Sequence, residues 1–311
     1  VGIPVNGIIG YHFFKNNLVE INYQKRKIFV FAKTIKNLIK IEKKFDKLPI
    51  SIEKAKPYIN GNVELNNNKI LVKLLIDVGN SDAVWLFQNT TNKIQIPSKN
   101  FEDYLGQGFS GEVYGKRAMM TKFSIAKFHF FNPIVAFPDS ISTTNVKMVV
   151  NRSGSVGSEI LKRFSVVFDY QNELIYLRKN NHFNAPFSYN KCGIEIHHDG
   201  HQWINETIRL ENVPSRNAHL SNEKIFTNDF KYKLQLKPVY VISSVRKNSL
   251  AEKAGLKKED ILVSINETPA YQYSLNSLNR LLRPEEDKWL SFEVDRNGQL
   301  LVIKFLIQSE L

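Results

Sequence analysis

A carboxylate stands directly after an apolar run in the segment 74–82, which reads LLIDVGNSD. Moving a carboxylate away from water is costly, so an Asp at the end of a buried strand needs a reason. The residues leave two reasons open: Asp77 closes a turn, or it does acid–base chemistry. Gly79 suits a tight turn, and the Ser81 hydroxyl follows two residues later. Asp77, Gly79 and Ser81 are therefore the candidate catalytic residues.

A repeat accompanies this segment. Residues 7–30 align without a gap with residues 154–177, at an offset of 147 positions. Each copy has a Gly step, a short helical turn and two alternating strands joined by a polar turn, as expected for one duplicated unit. The identical pairs are Gly7/Gly154, Gly10/Gly157, Lys15/Lys162, Val19/Val166, Tyr23/Tyr170, Gln24/Gln171 and Ile28/Ile175.

The two copies differ in what precedes them. The second copy closes a domain that begins before Asp77, whereas the equivalent of Asp77 for the first copy would fall about seventy residues before Val1. We therefore expect the chain to start near the end of a first lobe. The predicted organisation is the end of that lobe at 1–33, a linker at 34–56 and a second lobe at 57–180.

These features together resemble one lobe of an aspartic peptidase of the pepsin/retropepsin type. The motifs are Asp77-Val78-Gly79, the strand AVWLF at 83–87, the step Ser155-Val156-Gly157 and the duplication. The resemblance implies a mainly β fold with a closed, barrel-like lobe. It also implies that each of two lobes supplies one Asp, and that the two carboxylates share a proton.

Position 78 departs from the family pattern. The family has Thr or Ser there, and its hydroxyl helps to tie the two lobes together, whereas this chain has Val78. The sequence leaves open whether Ser81 or Asn80 takes over that hydrogen bond. The missing hydroxyl favours an alternative function, a peptide-binding scaffold that has kept the fold and lost catalysis.

The segment 106–115 is rich in glycine, and the resemblance implies that it is the flap that covers the substrate. Glycines permit the positive φ angles of a mobile hairpin. An ordinary Gly-rich hairpin is the other interpretation. The flap candidates are Gly106, Gly108, Gly111 and Tyr114.

The C-terminal part, 181–311, resembles a PDZ domain with an insertion at about 198–236. The matching motifs are VYVISSV at 239–245, SLAEKAGL at 249–256 and DILVSIN at 260–266, and Asn297-Gly298 predicts a hairpin turn. The resemblance implies that a peptide carboxylate binds backbone N–H groups of an apolar-Gly loop. The candidate residues are Cys192, Gly193, Ile194, Glu195 and Ile196 in the loop and strand, and Leu275, Leu278 and Leu282 on a helix.

Composition narrows the function classes. The chain of 311 residues carries a net charge of +13, but its lysines are scattered, so nucleic-acid binding is not expected. With one cysteine there is no internal disulfide, and no apolar run of ~18 residues predicts a membrane span. The cluster of His197, His198, Asp199 and His201 is interpreted as a solvated turn, so we expect neither a metal nor a cofactor.

The sequence therefore predicts an aspartic-type endopeptidase that hydrolyses peptide bonds, joined to a PDZ domain that binds peptide tails or segments. The expected partners are a peptide or protein substrate and a peptide ligand at the PDZ groove. The chain shows one catalytic-type Asp and is expected to be inactive alone, unless a homodimer pairs two Asp77 residues. The resemblance also implies a periplasmic or secreted location.

Overall fold

The computed structural model describes residues 7–108, 111–140, 149–209 and 230–311. In the described part, strands predominate and the helices are short, which confirms the prediction of a mainly β fold. The described residues form three clusters of buried apolar side chains, a large and a small one in the N-terminal part and a large one in the PDZ-like part. No helix of this part is both long and apolar enough to cross a membrane.

The N-terminal elements make up two sheets. In chain order they are α1 (Tyr11–Lys15), β1 (Leu18–Asn22), β2 (Lys27–Phe31), α2 (Ile35–Glu42), β3 (Asp46–Pro49), β4 (Ser51–Glu53), β5 (Lys56–Leu65), β6 (Asn68–Ile76), β7 (Val84–Leu86), β8 (Asn100–Gly108), β9 (Gly111–Met119), β10 (Lys122–Ile125), β11 (Phe128–Phe131), β12 (Ile134–Pro138), β13 (Arg152–Val156), α3 (Ser158–Leu161), β14 (Phe164–Asp169) and β15 (Leu174–Lys179).

The C-terminal elements form a third sheet with two short helices. They are β16 (Ile194–Arg209), β17 (Phe230–Val245), α4 (Leu250–Ala254), β18 (Ile261–Ile265), β19 (Thr268–Pro269), α5 (Leu275–Leu281), β20 (Lys288–Arg296) and β21 (Gln299–Ile307).

The two copies of the sequence repeat pair with each other in a five-stranded sheet of order β2-β1-β14-β15-β3. Val19 lies opposite Phe168, and Ile21 lies opposite Val166. The repeat equates Val19 with Val166 and Ile21 with Phe168. Exchanging the copies therefore reproduces the same pairing, so a local twofold axis passes between the strands β1 and β14. The duplication in sequence is also a duplication in structure.

The lobe around Asp77 is built on a second sheet, of order β11-β10-β5-β6-β13-β7-β12-β9-β8, with β4 paired to β5. Alternate residues of β6 (Val72, Leu74 and Ile76) are buried in the core, as the period of a half-buried strand requires. Among the described strands, the two ends of this sheet do not pair. The sheet is therefore open and is not the closed barrel that was expected. The hairpin of β9 and β8 extends the sheet beyond β12, so that β8 forms one edge and β11 the other.

The segment 34–56, predicted to be a linker, contains α2, β3 and β4. Thr34 caps α2 by accepting a hydrogen bond from the Asn37 backbone N–H at 3.3 Å. β3 pairs with β15 and so extends the sheet that the repeats share. This stretch of chain is therefore an ordered part of the two sheets.

The third sheet has the order β16-β17-β18-β20-β21, with β19 paired to β18. Asn297 and Gly298 have positive φ angles of 54° and 83° in the predicted turn between β20 and β21. The insertion expected at about 198–236 is, in its described residues, the outer part of the long hairpin of β16 and β17, where Trp203 lies opposite Leu236.

Candidate functional site

Asp77 lies where β6 ends, and the backbone of two strands fixes it there. Its N–H donates to the Val156 carbonyl on β13 at 2.9 Å, and its carbonyl accepts from the Asn80 N–H at 3.2 Å. Its carboxylate oxygen Oδ1 accepts from the Gly79 N–H at 3.0 Å. The side chain is partly exposed. This arrangement presents a carboxylate at the rim of a sheet with one face open to solvent.

The strand β13 lies between the two strands that flank the turn. It runs parallel to β6 and antiparallel to β7. A Cβ atom at Gly157 would lie 2.2 Å from the Asp82 carbonyl oxygen, and one at Gly154 would lie 1.8 Å from that of Trp85. No larger residue fits without moving the backbone. The step Ser155-Val156-Gly157 therefore packs under the Asp turn.

The residues of the turn around position 78 differ in exposure and in hydrogen bonding. Val78 is 45% exposed. Asn80 Oδ1 accepts a hydrogen bond from the Asp82 N–H at 2.9 Å and so stabilises the turn from within. Ser81 is exposed. The open face beside Asp77 therefore presents the methyl groups of Val78.

Arg152 is a buried cation near Asp77 that sequence reasoning missed. Its Nε donates to the Gly154 carbonyl at 3.0 Å and its Nη2 to Ser155 Oγ at 2.9 Å. Burial lowers the pKa of Arg152, while the charges of Tyr58 and Asp77 act to raise it. A lone arginine in the sequence NRSG carries no pattern that would have identified it.

The flap candidates lie on the hairpin of β8 and β9. Gly106 pairs with Val113 and Gly108 pairs with Gly111. Gly106 and Gly111 have φ angles of +137° and +123°, which side chains rarely adopt. The residues 109–110 at the tip lie outside the described part. The glycines therefore belong to a hairpin, and its role as a flap stays a prediction.

Tyr114 is the large side chain of this hairpin that faces solvent. It is about half exposed, and its ring packs edge-on against Tyr104 across the hairpin at 5.4 Å. Its hydroxyl donates to Glu112 at 3.0 Å. Burial raises the pKa of Tyr114, and the hydrogen bond to Glu112 adds to this. Tyr114 is therefore a neutral hydroxyl that can act as a hydrogen-bond donor.

The apolar residues proposed for the PDZ groove mostly belong to the domain core. Buried together in this core are Cys192, Ile194, Ile196, Leu278 and Leu282. Leu275 is only partly buried. The Lys191 N–H donates to the Leu282 carbonyl at 3.0 Å, which holds the loop against the end of α5. Leu275 is therefore the predicted groove residue that remains available to a ligand.

Gly193 has a positive φ and lies close to Ser249. Its φ is +87°, and a Cβ atom there would lie 2.4 Å from Ser249 Cβ. Its N–H donates to Asn190 Oδ1 at 2.9 Å, and its carbonyl accepts from the Arg246 N–H at 2.7 Å. Packing against Ser249 and the positive φ explain the glycine, and the approach of a ligand there stays a prediction. A peptide carboxylate that used this N–H would have to displace Asn190.

Glu195 lines a pocket together with Asp103 and Arg117 of the Asp77 lobe. Burial raises its pKa, and the negative charge of Asp103 raises it further. Arg283 and Arg117 act in the opposite direction, as does the hydrogen bond from Asn190. Glu195 is thus a partly buried acid between the two cores. In the described residues, no group of three His, Cys, Asp or Glu side chains is placed to hold a metal.

Comparisons with known proteins identify a PDZ domain in the C-terminal part. Residues 241–296 match the family model of the PDZ domain. A retropepsin-like aspartic protease from Rickettsia conorii is 20% identical, and the match covers 42% of this chain and 98% of that one with a TM-score of 0.31. An HtrA-type protease with decapeptide is 12% identical over 82% of this chain and 79% of that one, with a TM-score of 0.24.

No curated protein matches the sequence. The prediction of a PDZ domain is confirmed by the family match. At TM-scores this low, neither structural neighbour tells us how the residues around Asp77 act. What these residues do has to be argued from their own geometry.

Proposed function

We propose that this protein is an aspartic-type endopeptidase in which Asp77 is one carboxylate of a catalytic dyad. One observation carries the proposal: the two copies of the repeat pair about a local twofold axis, and the second copy holds Asp77 at the end of β6 through Val156. A local twofold relation is the geometry that two lobes need if each supplies one equivalent carboxylate.

The chemistry follows from placing two such carboxylates face to face. Two negative charges in close contact repel each other, so the pair holds one proton between them. The ionised carboxylate takes a proton from a water molecule, which attacks the peptide carbonyl, while the protonated one donates a hydrogen bond to the carbonyl oxygen. No covalent intermediate with the enzyme is formed.

The second carboxylate has to come from another lobe, and the first repeat offers the surface for it. Ile9, Ile28 and Val30 are exposed. Their equivalents in the second copy are Val156, Ile175 and Leu177, and all three are buried in the core of the Asp77 lobe. An equivalent lobe docked on the first repeat would bury the exposed set in the same way. A second copy of this chain or a separate lobe would serve, and the described residues alone form an inactive half-site.

The PDZ domain would bind peptide tails or segments by adding them to the edge of β16. In the described part of the chain, β16 pairs with β17 on one side and with no strand on the other. An open strand edge supplies the backbone hydrogen bonds of this binding mode, and Leu275 would contact a peptide side chain. Part of the proposal is a periplasmic or secreted location. It suits Cys192, whose thiol is buried and whose pKa burial raises, so that oxidation there is slow.

Cleavage of an unfolded protein tests the proposal. We would compare the protein as purified from its own host with residues 1–311, each as wild type, Asp77→Asn and the control Asp199→Asn in the PDZ domain. The proposal predicts that Asp77→Asn lowers the host protein's rate by at least about a thousandfold, while Asp199→Asn leaves it unchanged. Cleavage that survives Asp77→Asn would overturn it.

Val78 favours a second function, a peptide-binding scaffold without catalysis. A valine beside Asp77 cannot make the hydroxyl hydrogen bond that the family uses between its lobes. Under this alternative no form of the protein cleaves peptides, while peptide tails still bind at the PDZ domain. Cleavage separates the two functions, and calorimetry of peptide binding on the same samples shows that the PDZ domain in them is folded and competent.

A further inference from the structure

A row of charged side chains runs from the Asp77 turn to the base of the β8–β9 hairpin. Asp82, at the end of the turn, is buried and accepts hydrogen bonds from Trp85 Nε1 at 2.6 Å and from Arg117 of β9. The Arg117 Nε donates to Asp103 Oδ2 of β8 at 2.6 Å. One guanidinium group therefore joins the turn to both strands of the hairpin.

The row continues into the PDZ domain through Arg246. Its guanidinium Nη1 lies 3.7 Å from Asp103 Oδ1, and its side chain is 3% exposed. The same group stacks on the ring of Phe101 of β8 with its carbon 4.1 Å from the ring centre. Arg246 therefore packs against the base of the hairpin with both its charge and its flat face.

Arg246 also holds the loop that the PDZ resemblance assigns to ligand binding. Its backbone N–H donates to the Gly193 carbonyl at 2.7 Å, and its Nη1 donates to the Asn190 carbonyl at 3.0 Å. A second side-chain nitrogen, Nη2, donates to Glu310 at 2.9 Å. Arg246 thus contacts both the loop 190–193 and the hairpin.

These contacts are buried, and that makes them a stiff connection. Removing one partner of a buried ion pair leaves the other charge without a counterion in a poorly solvated place. Asp103 belongs to both pairs, since one oxygen faces Arg117 and the other faces Arg246. If either arginine moves, the position at which the Asp103 carboxylate contacts both guanidinium groups therefore moves as well.

We propose that Arg117 and Arg246 are positioning residues that couple the PDZ loop 190–193 to the β8–β9 hairpin and the Asp77 turn. In this arrangement the PDZ domain holds the hairpin in place, and a ligand that moves the loop moves the hairpin. The inference rests on the proposed function for the catalytic meaning of the turn and hairpin. The coupling itself needs no cleavage to be observed.

Hydrogen exchange followed by mass spectrometry of the full chain tests the coupling. Arg246→Gln is expected to speed exchange in peptides from 100–119 by about tenfold or more, because the hairpin base loses its anchor. Arg296→Gln is the matched control, since Arg296 pairs with Asp260 inside the PDZ domain. That variant should leave 100–119 unchanged.

Coupling must also act in the reverse direction. Asp103→Asn, on the hairpin, is expected to speed exchange in peptides from 190–196 of the PDZ domain. The strands at 122–137 and 288–307 report whether either core has unfolded. Should Arg246→Gln unfold the PDZ domain, Phe101→Ala removes the stacking partner from the hairpin side. It is read, like Asp103→Asn, in the peptides from 190–196, which are expected to exchange faster.

Two results would overturn the proposal. One is faster exchange in Arg246→Gln that is confined to the PDZ peptides. The other is an unchanged 190–196 peptide in Asp103→Asn while the hairpin loosens. A protein that cleaves nothing still gives a clear result here, so the failure of this inference is distinct from the failure of the proposed function.

Discussion

At the scale of single residues, the two copies of the repeat place the same glycine in two different surroundings. A Cβ atom at Gly157 would lie 2.2 Å from the Asp82 carbonyl oxygen, whereas one at Gly10 would have no atom within 4 Å. These two glycines are equivalent in the repeat. The close contact at Gly157 comes from the Asp77 turn, which lies against the second copy of the repeat.

This difference gives a first prediction. Gly157→Ala should lower the free energy of unfolding by about 3 kcal/mol, because backbone has to move to make room. Gly10→Ala, the matched control, should change it by less than about 0.5 kcal/mol. Urea unfolding of both variants measures this, and equal effects would show that the turn does not pack on Gly157 as described.

Glu195 gives a prediction about pH. Its pKa is raised, first by burial and then by Asp103, against the pull of Arg283 and Arg117. For an acid with a raised pKa, the folded state is penalised when the acid is ionised, so the penalty grows as the pH rises and is absent below its ordinary pKa.

Glu195→Gln should therefore raise the melting temperature at about pH 7.5 and change it little at about pH 4. The exposed Glu286→Gln serves as the control and should show no such pH dependence. Thermal melts of the three proteins at both pH values measure it. A Glu195→Gln variant that is less stable at neutral pH would contradict the assignment of a destabilising charge.

At the scale of elements, the exposed side of the first repeat is the feature with the clearest consequence. Ile28 is about half exposed, while its equivalent Ile175 is fully buried. A substitution at the surface usually changes the free energy of unfolding little, whereas a substitution in the core usually lowers it. Ile28→Lys should therefore leave the isolated chain as stable as before.

The same variant should remove cleavage and lobe association, because a lysine cannot be buried under a docked lobe without losing its hydration. Leu71→Lys is the control, since Leu71 is exposed on β6 and lies outside the repeat. Analytical ultracentrifugation and cleavage assays on both variants test this. Full activity in Ile28→Lys would mean that nothing docks on the first repeat.

Elements with a local pattern were predictable from the sequence, and elements set by distant contacts were not. The Asp turn, the apolar-Gly step and the Asn297-Gly298 turn follow from a few adjacent residues. The long hairpin of β16 and β17 was predicted as an insertion, although residues 230–237 alternate apolar and polar side chains as a strand does. The segment 34–56 gained its strands only by pairing with β15 and β5.

The candidate site shows the same division. Asp77 was found because it follows an apolar strand and precedes a glycine. Arg152, Arg117 and Arg246 were missed, because isolated arginines have no spacing rule and their importance comes from burial beside carboxylates far away in the chain. The contact of Gly193 with Ser249 was not predicted, since Ser249 is more than fifty residues away in the chain.

At the scale of the whole molecule, a row of charged side chains connects the Asp77 lobe to the PDZ domain. The row consists of Asp82, Arg117, Asp103 and Arg246. In the proposed function, the Asp77 lobe supplies one carboxylate of a dyad, and the exposed apolar residues of the first repeat form a face for a second lobe. The PDZ domain has an open strand edge and lies against the base of the hairpin through Arg246. This arrangement suits an enzyme whose cutting site and peptide-binding site move together.

The most direct test of the central claim is the pH dependence of kcat/KM for peptide cleavage, measured from about pH 2 to pH 8 on the protein from its own host. A dyad that shares one proton predicts a bell-shaped profile with both limbs set by carboxyl groups, and Asp77→Asn should abolish it. A single-limbed profile that persists in Asp77→Asn would show that cleavage, where it occurs, does not depend on a carboxylate pair at Asp77.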